Sequence, residues 1–436
     1  MAGAHRKAAD PGRRPPARTD AVPAGAGGFT AASGGSAAGA GGFAAASGES
    51  GAGAGGCGAG GSGGLAGSGQ DVPTMGLLLA RPPSSDRAPA PPSRAPGGSG
   101  RDRYFDILRA VALVRVVTYH TFEWPWLSMV FPSMGVMFAL AGSLMARSLE
   151  RPALTVIRSR LRRLLIPVWV FGLMLGAAML LHGWVPGIDV LYWVLPVGDP
   201  PGNEWGEQAW AVLWYLRTYL WFVLLSPLLL RLFRSAPLVV LALSLVPVVL
   251  LETVWEAPEG RLGTTLTDLS IFLFCWLLGF AHREGVLARL RPAAVAAAGV
   301  PLMAAGLWWA FHHRSEGSYD LDDIPLAQAL FSAGFVLLLL RFRLDCQGLA
   351  KRPAADRVVA VFNARAVTIY LWHEIALMLS VAAIDLLWRF PWAEAHLPLE
   401  STWLMFGVAW VLIAAAVLAL GWVEDVAAKR SPRLLP

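Results

Sequence analysis

Eight ionisable side chains crowd two short stretches of this 436-residue chain. FDILRAVALVRVVTYH (105–120) carries Asp106, Arg109, Arg115 and His120 within an otherwise apolar run. VIRSRLRRLLIPVW (156–169) carries Arg158, Arg160, Arg162 and Arg163. Histidine is the side chain whose charge changes most readily near neutral pH. Guanidinium groups suit bidentate recognition of phosphate. The chemistry these residue types allow is therefore proton transfer at one place and anion binding at another.

Helical spacing sorts the first set. Arg109 and His120 are eleven residues apart, a rotation within about 20° of whole turns, so they share one face about 16 Å apart along the axis. Asp106 lies one turn before Arg109 and Glu123 one turn after His120, both within i,i+3 reach. One stripe runs Asp106, Arg109, Leu113, Val116, His120. Arg115 falls on another face and must find protein or a water-filled cavity. Two readings of the stripe stand: side chains snorkelling to the membrane surface, or an internal polar route. The arginine-rich stretch is equally double. Loops on the inner side of a membrane are basic in any case and bind anionic headgroups, or the cluster docks a phosphate-rich ligand.

The elements that must hold these residues are membrane helices. The chain is 55% hydrophobic and only 15% charged, against about 25% charged in soluble domains. Several apolar runs approach the length of about 20 residues that spans a bilayer. Ten helices are predicted, over 104–121, 128–148, 164–182, 210–232, 237–254, 265–281, 293–311, 325–340, 366–387 and 402–423. The expected fold class is an all-α polytopic membrane helical bundle. Basic residues alternate with it: six lie at 147–163 and six at 341–365, whereas the opposite side carries only Arg261, Arg314 and Arg389. The positive-inside rule then puts both termini in the cytoplasm of a multi-pass plasma-membrane protein. The basic residues form no single patch, so no nucleic-acid partner is expected; membrane lipids are.

Residues 1–100 are rich in Gly, Ala, Ser and Pro, and GAGGFTAASG (25–34) recurs as GAGGFAAASG (39–48). Without a periodic apolar face they read as a disordered cytoplasmic tail. They lack the pattern of a secretory signal, and Met75 is an alternative start. A membrane domain over 101–425 and a short cytoplasmic tail over 426–436 complete the organisation. Cys57, Cys275 and Cys346 suggest no disulfide framework.

Combined, these pieces resemble acyltransferase family 3. The carriers are Arg109, ten residues, then His120; Arg160-Leu161-Arg162-Arg163 after the second helix; and the Asp106-to-Ala110 core of RDRYFDILRAVALVRVVTYH. GVMFALAGSLM (135–145), RLRRLLIP (160–167), LWYLRTYLWFVLLSPLL (213–229) and IYLWHEI (369–375) resemble further family segments in the right order. The resemblance implies an O-acyltransferase that takes an acyl group from cytoplasmic acyl-CoA, with acetyl-CoA the expected donor. It passes that group to a hydroxyl of a sugar, glycan, glycolipid or secreted metabolite. It implies CoA phosphates held by Arg109, Arg158, Arg160 and Arg163, and His120 as general base, with Glu123 or Asp106 orienting it or balancing its charge. No permanently bound cofactor and no metal are expected. Two departures stand out: Ala141 where the family often has Ser, with Ser143 two residues on, and Arg115 at a normally apolar position.

Other residues have two readings each. Arg217, between Tyr215 and Tyr219, is either a structurally paired arginine or part of the substrate path. His373 lines that path or packs as a hydrogen-bonded core residue. His373 and Glu374 point about 100° apart, so they are not expected to face one site together. The segment HHRSEGSYDLDD (312–323) reads as a solvated loop. The loop 183–209, with Trp184, Tyr192, Trp193 and Trp205, is a sugar-facing surface or an interfacial aromatic belt. The competing functions are a transporter or exporter using the charged stripe as its path, and a family member that has lost activity.

Overall fold

The computed structural model describes residues 102–315, 317–343 and 352–433. The expected tail of residues 1–100 lies outside the described residues, as do Met75, Cys57 and Cys346. The described chain is helical without a β-strand, apart from one isolated bridge between Ser315 and Ser318.

Twelve helices hold the polar residues in place: α1 (Arg103–Phe122), α2 (Ser133–Ser148), α3 (Ala153–Leu181), α4 (Glu204–Trp210), α5 (Leu213–Ser235), α6 (Arg261–Arg283), α7 (Pro292–His312), α8 (Pro325–Arg341), α9 (Pro353–Ala364), α10 (Ala366–Leu387), α11 (Thr402–Leu420) and α12 (Trp422–Ala427). Among the described residues, seven helices are long and apolar enough to cross a membrane. The remaining three expected spans are helical too, but differ. α1 carries Arg103, Asp106, Arg109 and Arg115, α8 is shorter, and 237–254 is two short helices, Pro237–Leu243 and Val246–Thr253.

α1 ends where Glu123 takes a left-handed conformation (φ 50°) and donates its N–H to the Tyr119 carbonyl. The following Trp124–Pro125 step cannot continue a helix easily. The segment expected to be a basic loop is instead helical: α3 runs 29 residues from Ala153, about 43 Å. That exceeds the roughly 30 Å hydrocarbon core, so its arginine-rich first turns belong to the membrane surface while remaining helix.

α1 packs against α2, α9, α10 and α11, and α2 packs closely on α6. The α2–α6 contact depends on glycine. A Cβ on Gly142 would lie 2.3 Å from the Trp276 carbonyl oxygen, and one on Gly279 2.2 Å from that of Ala139. Small residues at such crossings let membrane helices approach backbone to backbone. This accounts for Gly142, the second glycine of the GVMFALAGSLM segment. Ala141, in place of the family's Ser, is buried in this packing. The displaced Ser143 hydroxyl lies 3.1 Å from His282 Nδ1. Phe138, Tyr215, Phe222, Phe272 and Trp276 fill the centre with ring contacts.

Candidate functional site

α1 carries polar chemistry at three levels. Near its start, Arg109 lies 3.6 Å from Asp106. Asn363 of α9 donates to the Asp106 carbonyl oxygen (2.8 Å) and accepts from Arg109 (3.4 Å). All three are buried. Asn363 also lines a small cleft with Arg163, Glu424, Asp425 and Arg430. Asn363, bonded to Arg109, thus also faces the cleft that Arg163 lines. The other arginines of the cluster separate. Arg160 donates to the Ser148 hydroxyl at 2.9 Å and to the Leu144 carbonyl, at the C-terminal end of α2, where cations are favoured. Arg162 donates to the Ala427 carbonyl, and Arg158 is exposed.

Glu424 of α12 closes the cleft. It accepts from the backbone N–H (2.8 Å) and hydroxyl (2.6 Å) of Thr368, supplying an acceptor to the first turn of α10 from a different helix. Burial pushes its carboxyl up to about 7, against the opposing pull of the Thr368 bonds and Arg365.

Midway along α1, Arg115 resolves as a structural residue. It forms a 2.8 Å ion pair with Asp322, each side chain only 4% exposed, and its guanidinium lies over the Tyr119 ring. Tyr119 donates to Asp320 at 2.8 Å and Gln328 to Asp322 at 2.7 Å. Asp320, Leu321 and Asp322 are all buried. The solvated-loop expectation for 312–323 therefore fails at its DLDD end. A buried arginine requires a counter-charge, and this segment supplies it. Arg217 follows the same logic, buried and paired with both Asp199 and Asp268. This pairing is what the structural reading expects.

At the far end of the stripe, His120 meets α10. Its Nδ1 lies 3.6 Å from Glu374 Oε2, and its ring centroid 5.2 Å from that of His373. One donor atom from each of His120, His373 and Glu374 can be chosen so that all lie within 4.8 Å of one another. This overturns the expectation that adjacent His373 and Glu374 cannot share a site. Two side chains 100° apart straddle the line of contact with α1, and His120 reaches between them. His373 Nδ1 lies 2.5 Å from the Tyr370 carbonyl, which only a donor can satisfy, so Nε2 carries the lone pair of the neutral ring. His120 Nε2, His373 Nε2 and Glu374 Oε2 are buried without a hydrogen-bond partner. These are zinc-ligand types, but a tetrahedral set with bonds near 2.05 Å holds its donors about 3.3 Å apart.

Neither carboxylate expected to serve His120 forms an ion pair with it among the described residues, though the charge of Glu123 acts on Glu374. Glu123 is exposed at the left-handed end of α1. Asp106 is fourteen residues lower, about 21 Å down the axis. Glu374 takes the place beside His120, and Gln208 of α4 hydrogen bonds to its carboxylate. Trp205, one turn before Gln208, packs its ring against His182 and not against this group. Glu374 and Asn363 had no signal in the sequence beyond standing in polar positions beside apolar runs.

These features define a polytopic helical membrane protein in which one face of α1 carries a guanidinium-rich end and, past the buried Leu113 and Val116, an imidazole–carboxylate site. Residues 102–423 match the family model for the acyltransferase domain of acyltransferase family 3. The chain belongs to that family and is a membrane acyltransferase. No curated protein and no solved structure matches it.

Proposed function

We propose that the chain moves an acyl group, most simply acetyl, from acyl-CoA at the arginine-rich end to a hydroxyl at the His120 end. The acceptor is a sugar, glycan, glycolipid or secreted metabolite. The distribution of basic residues supports a cytoplasmic arginine-rich end, both termini inside, and residence in the plasma membrane. The observation that carries this reading is the shared face of α1. At one end Arg109 bonds Asn363, which lines a cleft with Arg163, and at the other His120 presents a buried, unpartnered Nε2.

In this reading Arg109 and Arg163 bind the CoA phosphates, with Arg158 and Arg160 at the mouth. The thioester end of the donor runs along the α1 face, about 16 Å, to His120. There Nε2 takes the proton of the acceptor hydroxyl while its oxygen bonds to the thioester carbonyl carbon. The tetrahedral intermediate collapses, the C–S bond breaks, and the proton passes from His120 to the departing thiolate. The products are an ester and free CoA thiol. General-base help of this kind contributes about 10²–10⁴-fold.

Purified protein in nanodiscs should bind acetyl-CoA, and R163A and R109A should weaken that binding. H120A should retain binding and lose at least about 10²-fold in transfer rate. Mass spectrometry of glycans and metabolites from a deletion strain should show a lost acyl mass. If the wild-type protein binds no acyl-CoA tested, the reading fails.

A further inference from the structure

A histidine that takes a proton from a hydroxyl becomes a cation, and in a site closed to water that cation needs a counter-charge on its other nitrogen. Around His120 the structure offers few groups for this task. Arg115, on the same helix, carries the wrong sign and is bound to Asp322. Tyr119 stands edge-on to the ring and donates its hydroxyl to Asp320. His373 has its Nδ1 committed to the Tyr370 carbonyl and offers only a neutral lone pair. Glu374 is the carboxylate beside the ring, 3.6 Å from Nδ1.

Glu374 is also held for this purpose. Gln208 hydrogen bonds to its carboxylate, yet Oε2, the oxygen turned to His120, is buried with no hydrogen-bond partner. The gap is longer than the about 2.7–2.9 Å of a charge-assisted bond. Catalytic contacts are often long in the absence of substrate and tighten on binding. An ionised carboxylate accepts hydrogen bonds only. Once the 3.6 Å gap closes to a hydrogen bond, Oε2 holds the His120 proton on Nδ1 and frees Nε2 as the base.

We propose that Glu374, steadied by Gln208, is the positioning residue that fixes the tautomer of His120 and stabilises the imidazolium formed during transfer. This rests on the acyl-transfer reading above. It assigns the role to a residue 254 positions away from the histidine it serves, and not to Asp106 on the same helix or Glu123 just past its end.

The test compares E374Q, E374D and Q208A with wild type in nanodiscs, measuring acetyl-CoA affinity, kcat and KM for each. E374Q keeps the shape and the bond to Gln208 but removes the charge. It should lower kcat at least about tenfold while acetyl-CoA affinity and KM stay within about twofold, the signature of an interaction made only in the transition state. E374D should recover part of that loss, and Q208A should show a smaller loss of the same kind. Unchanged acetyl-CoA affinity certifies that a variant is folded; if E374Q fails that check, the shorter E374D, with the charge kept but drawn back, must show the kcat loss alone. Wild-type kcat in a folded E374Q overturns the proposal. So does a stoichiometric metal ion in the purified wild type whose chelation abolishes transfer, because the trio would then be its ligands. Absence of acetyl-CoA binding in the wild type sinks the acyl-CoA reading itself, whereas intact binding and transfer with an indifferent E374Q sinks only the role of Glu374.

Discussion

Replacing Arg115 by methionine removes the cation from a pair whose two side chains are each 4% exposed. Breaking a buried pair from one side costs about 3–5 kcal/mol, because the remaining charge is uncompensated. Asp322 would keep one hydrogen bond, from Gln328. Part of the cost is offset. Nε and Nη1 of Arg115 are buried without partners, and removing two unmet donors recovers about 1–3 kcal/mol. Taking the midpoints, the net loss is about 2 kcal/mol. At about 2 °C per kcal/mol, the lower figure for larger chains, Tm falls by about 4 °C. D322N leaves the arginine unpaired and should fall at least as far. The double variant R115M/D322N buries no charge, keeps an acceptor for Gln328, and should lie within about 2 °C of wild type. The assay is thermal unfolding of all four proteins in one detergent, read as the fraction that stays monodisperse. If the double variant loses the sum of the two single losses, the residues act independently. The account of Arg115 as a tether for the 320–323 segment is then wrong.

The arginine-rich end gives two further outcomes. Glu424 titrates at about 7 when folded and near 4.3 when unfolded, so the folded state holds the proton more tightly and stability falls as pH rises between those values. E424Q has no such titration and should gain on wild type in Tm from pH 5 to pH 8, about the window of the shift; a gap independent of pH would show that Glu424 is not held protonated. N363A removes the bonds at 2.8 Å and 3.4 Å that tie α9 to α1, each worth about 0.5–1.5 kcal/mol. It should raise Kd and KM for acetyl-CoA severalfold at nearly constant kcat, and a fall in kcat alone would contradict a role confined to donor binding.

The helices were legible because their signal is local: apolar length, proline breaks and the alternation of basic segments. The stripe was legible for the same reason, since 100° per residue links Arg109 to His120 without tertiary knowledge. What escaped was set by contacts between distant segments. Arg115 was visibly odd, but its answer lies 207 residues on, in a segment whose acidic composition looked like ordinary solvated loop. The arginine cluster read as a loop because charge ends apolar runs, although a helix longer than the bilayer carries charge in its protruding turns. Glu374 was set aside by an angle measured about its own axis, when the relevant geometry was the position of α1 beside it.

The charges in the described part of the chain divide by how they are compensated. Arg115 with Asp322, Arg217 with Asp199 and Asp268, and Arg365 with Asp425 are each a buried cation with its own carboxylate. Any N–H left over on these residues belongs to a guanidinium that already has a counter-charge. Such closed sets tie helices and loops together, at a desolvation cost that only pairing offsets. The His120 group differs in kind. It holds three unpartnered atoms on three residues of two helices, His120 Nε2, His373 Nε2 and Glu374 Oε2, and each of these residues can offer a donor atom within 4.8 Å of the others. On the acyl-transfer reading proposed above, the group that meets them is the acceptor hydroxyl, with a proton to give to His120 Nε2.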